Sequence, residues 1–206
     1  MLSEYVKILK KRMSWKFDII TLCEFICLIL IVPLVKFANP EWFVENSVVE
    51  NLQLLILWCA FFVALSAKKE KKLFVFCALI VTFFIIRETN MGREYFCSKY
   101  LTSDEPCRWK SFKYGYVMEL ARACFALYIV FYFFKNKLYR TLMTYILRAP
   151  LFMWDIVILL LCAIGATVSE FECVDNEIME EMFEMVMYIA LIRCLWVYGR
   201  VKDFIV

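Results

Sequence analysis

Histidine is absent from the 206 residues. That alone removes Ser-His-Asp and Cys-His catalysis and every His-ligated metal centre. Glycine and proline are scarce, at four each. The glycines, Gly92, Gly115, Gly165 and Gly199, are too widely spaced to form a phosphate-cradling loop. Charged residues reach only 22% of a strongly apolar chain, which excludes a disordered polymer. The first apolar run has no small-residue cleavage pattern after it, so it reads as a signal anchor rather than a removable signal peptide. No internal repeat, low-complexity segment or soluble domain stands out.

What is abundant is apolar surface. Hydrophobic residues make up 64% of the chain and aromatics 18%, with a mean hydropathy of +0.69. Soluble domains are nearer half apolar, so lipid is the natural solvent for most of this surface. Apolar runs fall at 18–38, 50–67, 73–88, 114–134, 149–169 and 182–198. Each is close to the length of a membrane-crossing helix. The expected fold is all-α: one integral membrane domain, a polytopic transmembrane helical bundle of six spans. The third run is the shortest and must carry Arg87 and Glu88 at its edge. The sixth is interrupted by Glu184 and Arg193, which makes it the least regular of the six.

The charges alternate by connection. The N-terminal arm, the Lys68–Lys72 loop, the 135–148 connection and the tail sum to about +11, whereas the other three connections with their helix mouths sum to about −7. Six spans preserve this alternation and five would break it. The expected placement is multi-pass in a plasma (inner) membrane with both termini cytoplasmic. The lysines are accounted for by orientation and anionic lipid, so the lipid bilayer is the expected partner and nucleic acid is not.

Of the ten cysteines, seven fall within apolar runs and read as small hydrophobes. In an oxidising exterior Cys97 and Cys107 would close a short disulfide loop, or either would join Cys173. The run Met179, Met182, Met185 has thioether spacing suited to Cu(I), but on a membrane helix it reads first as packing material.

Ionisable groups within spans are costly and normally face partners. Counting helix rise from the basic edge puts Glu24, Asp155 and Arg193 at one depth, on the order of 10 Å inside, as a candidate buried ion cluster. Its two readings are a helix-to-helix salt bridge and a proton or ion relay. On the acidic side, Glu50, Arg87, Glu88, Glu119, Arg122, Glu181 and Glu184 fall at helix ends or in outer halves. Together they form a candidate outward-facing ligand-binding pocket. Crowded carboxylates favour a cation or a shared proton. An all-oxygen set suits a divalent cation such as Ca²⁺, Mg²⁺ or Mn²⁺, and the arginines suit a lipid head-group phosphate.

Three short motifs, VENLQ (Val49–Gln53), RETNMGREYF (Arg87–Phe96) and EIMEEMFE (Glu177–Glu184), together resemble a family of uncharacterised bacterial polytopic inner-membrane proteins. In that family a Glu-Asn starts one helix, an acid followed by Gly-Arg ends another, and Glu-Glu-x-x-Glu opens the last. Relatives carry Trp or Tyr before the glycine, where Met91 stands here. The resemblance implies no particular activity. It groups Glu50, Asn51, Arg87, Glu88, Gly92, Arg93, Glu181 and Glu184.

Familiar membrane enzymes fit poorly. The D-x-x-D-G-x-x-A-R run of alcohol phosphotransferases is missing, and phosphatidic-acid phosphatases and rhomboid proteases need histidine. Three functional expectations follow. The first is a transporter or transport accessory that binds a small cation or a polar lipid head group. The second is a membrane enzyme acting on lipid or a lipid-linked substrate, with catalytic residues unassigned. The third is a structural subunit with a membrane-protein partner.

Overall fold

The computed structural model describes residues 13–15, 17–37, 39, 42, 48–89, 109, 112, 115–148, 151–169 and 177–200. Among them are seven helices: α1 Ile19–Phe37, α2 Val48–Leu65, α3 Lys71–Glu88, α4 Gly115–Lys135, α5 Leu138–Arg148, α6 Met153–Ser169 and α7 Glu177–Arg200. Two two-residue strands, β1 Met13–Ser14 and β2 Leu151–Phe152, pair in parallel and tie the start of the chain to the approach to α6. The described residues are all-α apart from this clip.

Each of the six apolar runs is helical. α1, α2, α4 and the stretch Ile178–Arg200 are long and apolar enough to cross a membrane. α6 is apolar but has 17 residues, and α3 carries lysines at its start and Arg87-Glu88 at its end. Large apolar side chains stay exposed along the outer faces, including Ile29, Val32, Leu55, Phe62, Leu127 and Ile164. An exposed apolar face of this extent suits lipid and not water. This is a membrane-embedded multi-helix protein.

Local chemistry explains the helix boundaries. Asp18 caps α1: its Oδ1 accepts hydrogen bonds from Ile20 N at 3.1 Å, Thr21 N at 3.0 Å and Thr21 Oγ1 at 3.1 Å. Such a cap satisfies donors that a helix start otherwise leaves orphaned. Glu70, in the left-handed region at φ 45°, turns the chain into α3. Lys137, at φ 53°, turns it from α4 into α5, while Asn136 Nδ2 donates to Tyr132 O at 3.0 Å.

α5 was not expected. The reading above treats 135–148 as a basic connection. Its apolar residues, Leu138, Leu142, Tyr145 and Ile146, recur at helical spacing, with Leu138 buried and the other three lining a cavity against α3, α6 and α7. That pattern is an amphipathic helix. The fifth apolar run also starts later than expected, at Met153, because residues 151–152 are taken by the strand pair.

α7 is the hub. It packs against α6, α2 and α1, and α2 also packs against α3. It buries residues on all sides, with Tyr188, Val186 and Ala190 fully inside. A helix packed on several sides belongs in a core. The run expected to be least regular is therefore the longest described helix, since its charged side chains find partners on the helices around it. Small residues bring the helices close: Ala60, Ala64 and Ala78 lie in the core shared by α2, α3 and α7. Gly165 of α6 lies under the Phe183 ring, where a Cβ would come within 2.8 Å. The methionine run packs: Met182 is buried beside Ile31, with Met179 and Met185 against them. Seven cysteines are described, all free. Cys97, Cys107 and Cys173 lie outside the described residues.

Candidate functional site

Two polar clusters are built on α7, and helix geometry keeps them apart. Glu184 and Arg193 are nine residues apart. That is two and a half turns, or about 14 Å of rise, which places them on opposite faces of the helix.

The outer cluster lies between α2, α3 and α7. Arg87 forms a close ion pair with Glu184 and reaches Glu180 at 3.7 Å. Glu184 is buried and follows Glu180 by one turn, so one guanidinium spans both. Tyr188, one turn further on and fully buried, donates its hydroxyl to Glu88 Oε1 at 2.6 Å. Glu184 Oε2 stands 3.5 Å from the same hydroxyl, too far for a strong second bond. Gln53, fully buried on α2, donates through Nε2 to Glu181 Oε2 at 2.7 Å and to the Glu181 carbonyl at 2.8 Å. Two acceptors on one side fix which amide atom is nitrogen. The other atom, Gln53 Oε1, is buried without a hydrogen-bond donor. Glu50, in the first turn of α2, lies within electrostatic range of Glu88.

Of the outer residues expected from sequence, Arg87, Glu88, Glu181 and Glu184 thus fall into one cluster, with Glu50 at its margin. Glu119 and Arg122 do not join it. They sit on α4, which packs on α3 and α5 and does not lie along α7. Among the described residues, no hydrogen bond or ion pair links either to the cluster. Gly92 and Arg93 lie outside the described residues. Gln53 and Tyr188 were not singled out in the sequence. Both carried a signal: Tyr188 is one turn from Glu184, and Gln53 is an amide inside an apolar run.

The inner cluster lies between α1, α6 and α7. Arg193 Nη2 contacts Asp18 Oδ2 at 2.8 Å. Its Nη1 contacts Thr21 Oγ1 at 2.8 Å, Asp155 Oδ1 at 3.0 Å and Glu24 Oε2 at 3.5 Å. The Asp155 contact is ionic but off the N–H direction, and neither Asp155 oxygen accepts a hydrogen bond; nor does Glu24 Oε1. Glu24 and Asp155 are 2% and 1% exposed, and Arg193 is 9% exposed. Asp18 differs, with a side chain 52% exposed. The Thr21 backbone N–H holds its carboxyl below the usual range; burial opposes this, and the Arg193 charge adds to the lowering. The structure therefore puts Glu24, Asp155 and Arg193 in contact. It adds Asp18 and Thr21, which the depth count had left out.

Aromatic side chains brace this end. Trp154 stacks edge-on against Trp15 with ring centroids 5.1 Å apart, and its Nε1 donates to Trp15 O at 3.3 Å. A cavity of about 290 Å³ lies between α3, α5, α6 and α7, lined by apolar groups such as Leu73, Leu142, Leu191 and Leu195. Neither polar cluster opens into it. Among the described residues, no three acid or cysteine side chains converge as a metal-binding group.

Comparison with protein-family models, curated proteins and solved structures finds no match.

Proposed function

We propose that this is a six-span membrane protein of the plasma (inner) membrane, with both termini cytoplasmic, that binds a small cation at the outer cluster and acts as a transporter or transport accessory. One observation carries the reading: among the described residues, Glu180 and Glu184 both reach Arg87, and Glu88 and Glu181 lie within electrostatic range of Glu184. Such a gathering of carboxylates, two of them buried, favours added positive charge. Gln53 Oε1, buried and without a donor, adds a neutral oxygen ligand to the same place. A lipid phosphate fits less well, because Arg87 is already engaged by Glu184. The resemblance to uncharacterised bacterial inner-membrane proteins supports the grouping of these residues and leaves the cation's identity open.

The test is thermal melting of the purified protein in lipid nanodiscs. Sodium, potassium, magnesium or calcium chloride is titrated against choline chloride at equal ionic strength. A saturable rise in Tm with one of these cations, lost in Glu181→Gln, is the expected result. The same response in Glu181→Gln would move the binding elsewhere.

A second reading has its own support. Each strong contact in the cluster is one-to-one: Arg87 with Glu184, Tyr188 with Glu88, and Gln53 with Glu181. Pairs of this kind fasten α2 and α3 to α7. If no ion alters stability, the cluster is a structural lock in a subunit of a membrane complex.

A further inference from the structure

The inner cluster has a charge problem that its own residues do not solve. Three carboxylates, Asp18, Glu24 and Asp155, meet one guanidinium. Asp18 is half solvated and accepts three hydrogen bonds at the start of α1, so it stays ionised with water and the helix start sharing its charge, which leaves the Arg193 charge for one buried carboxylate. Glu24 and Asp155 are left sharing the other guanidinium nitrogen. Both are almost completely buried, and Glu24 Oε1 and both Asp155 oxygens receive no hydrogen bond from the protein. Two ionised carboxylates in that position would leave a large uncompensated charge inside the membrane.

We infer that Glu24 and Asp155 together hold one exchangeable proton, making the Arg193 cluster a proton-binding site on the basic side of the membrane interior. The proton is carried by one of the two carboxyl groups, on an oxygen that receives no hydrogen bond from the protein, and leaves a single carboxylate facing Arg193. A metal cation is the poorer occupant, because the guanidinium already takes the position between the acids. The other titratable groups around the pair are Cys27 on α1, Cys162 on α6, and Cys194 and Tyr198 on α7. Thiols and phenols are neutral at physiological pH, so Asp18 and Arg193 are the charged neighbours. The site is independent of the outer cluster, which lies on the opposite face of α7.

The experiment is infrared difference spectroscopy on the full-length protein in lipid membranes. It is stepped between about pH 5 and about pH 9, where buried carboxyl groups are known to titrate. A carboxylic-acid C=O band is expected that shifts in heavy water, collapses in Glu24→Gln, and shifts or weakens in Asp155→Asn. Glu181→Gln should leave it in place, which separates this site from the outer one. Should a variant fail to fold, carbon-13 labelling of aspartate carboxyls in the unsubstituted protein decides the question. Asp155 is the buried aspartate among the described residues, so a shared proton must give an aspartate-sensitive component. Absence of any such band, a band indifferent to both substitutions and to the label, or a sodium requirement in place of a proton would overturn the assignment.

Discussion

Replacing Arg193 with methionine isolates the electrostatics of the inner cluster, because the long side chain is kept and only the guanidinium is lost. In the parent, Arg193 balances buried carboxylate through contacts at 3.0 and 3.5 Å. Without it, the carboxylate that remains on Glu24 or Asp155 must be neutralised by taking up a proton. The cost follows from the ordinary value in the unfolded chain, about 4. At about 1.4 kcal/mol per pH unit, it is about 4 kcal/mol at about pH 7 and about 1 kcal/mol at about pH 5. The first figure agrees with the ~3–5 kcal/mol measured when one partner of a buried pair is removed. The sign is definite. The penalty is largest where the unfolded carboxyl is fully ionised and fades as pH falls toward its ordinary value. The assay is reversible unfolding in mixed micelles titrated with a denaturing detergent, at the two pH values. Adding Glu24→Gln and Asp155→Asn to Arg193→Met removes the stranded charge and should restore most of the loss. A loss below about 1 kcal/mol at neutral pH, or one that is the same at both pH values, would refute the reasoning.

Further outcomes follow from single contacts. Tyr188→Phe leaves buried Glu88 without its 2.6 Å donor and should cost about 1–3 kcal/mol in the same unfolding assay. Gly165→Leu drives a side chain into the Phe183 ring, which a Cβ would already approach to 2.8 Å; separation of α6 from α7 should cost about 1–3 kcal/mol. Asp18→Ala removes the cap of α1 at about 1 kcal/mol near neutral pH. Because the folded carboxyl of Asp18 lies below its ordinary value, its contribution is present above the unfolded value, about 3.9, and disappears as pH drops through the folded value. Reporter fusions should place the Lys68–Lys72 loop on the cytoplasmic side, and an external loop would reverse the orientation.

Much of the architecture was legible because apolar run length is a strong signal in lipid. All six runs are helices, with boundaries shifted by a few residues at most sites. α5 was hidden because its apolar stripe is short and threaded with Arg140 and Arg148, so composition read it as a basic connection. Depth counting along straight helices brought out Glu24, Asp155 and Arg193. It left out Asp18 and Thr21, which reach the guanidinium from the very start of α1. In the outer set the same counting grouped Glu119 and Arg122 with residues of equal depth, but depth says nothing about which helices are neighbours. α4 lies beside α3 and away from the hub. Gln53 and Tyr188 are neutral at physiological pH, so a search led by charge passed over the two side chains that serve Glu181 and Glu88.

The most direct test of cation binding at the outer cluster is equilibrium binding of radiolabelled sodium, rubidium and calcium to the purified protein in lipid nanodiscs. Saturable binding of one of these ions is expected, lost in Glu181→Gln and Glu184→Gln and retained in Glu24→Gln. Absence of saturable binding in the unsubstituted protein, or full binding in Glu181→Gln, would contradict it.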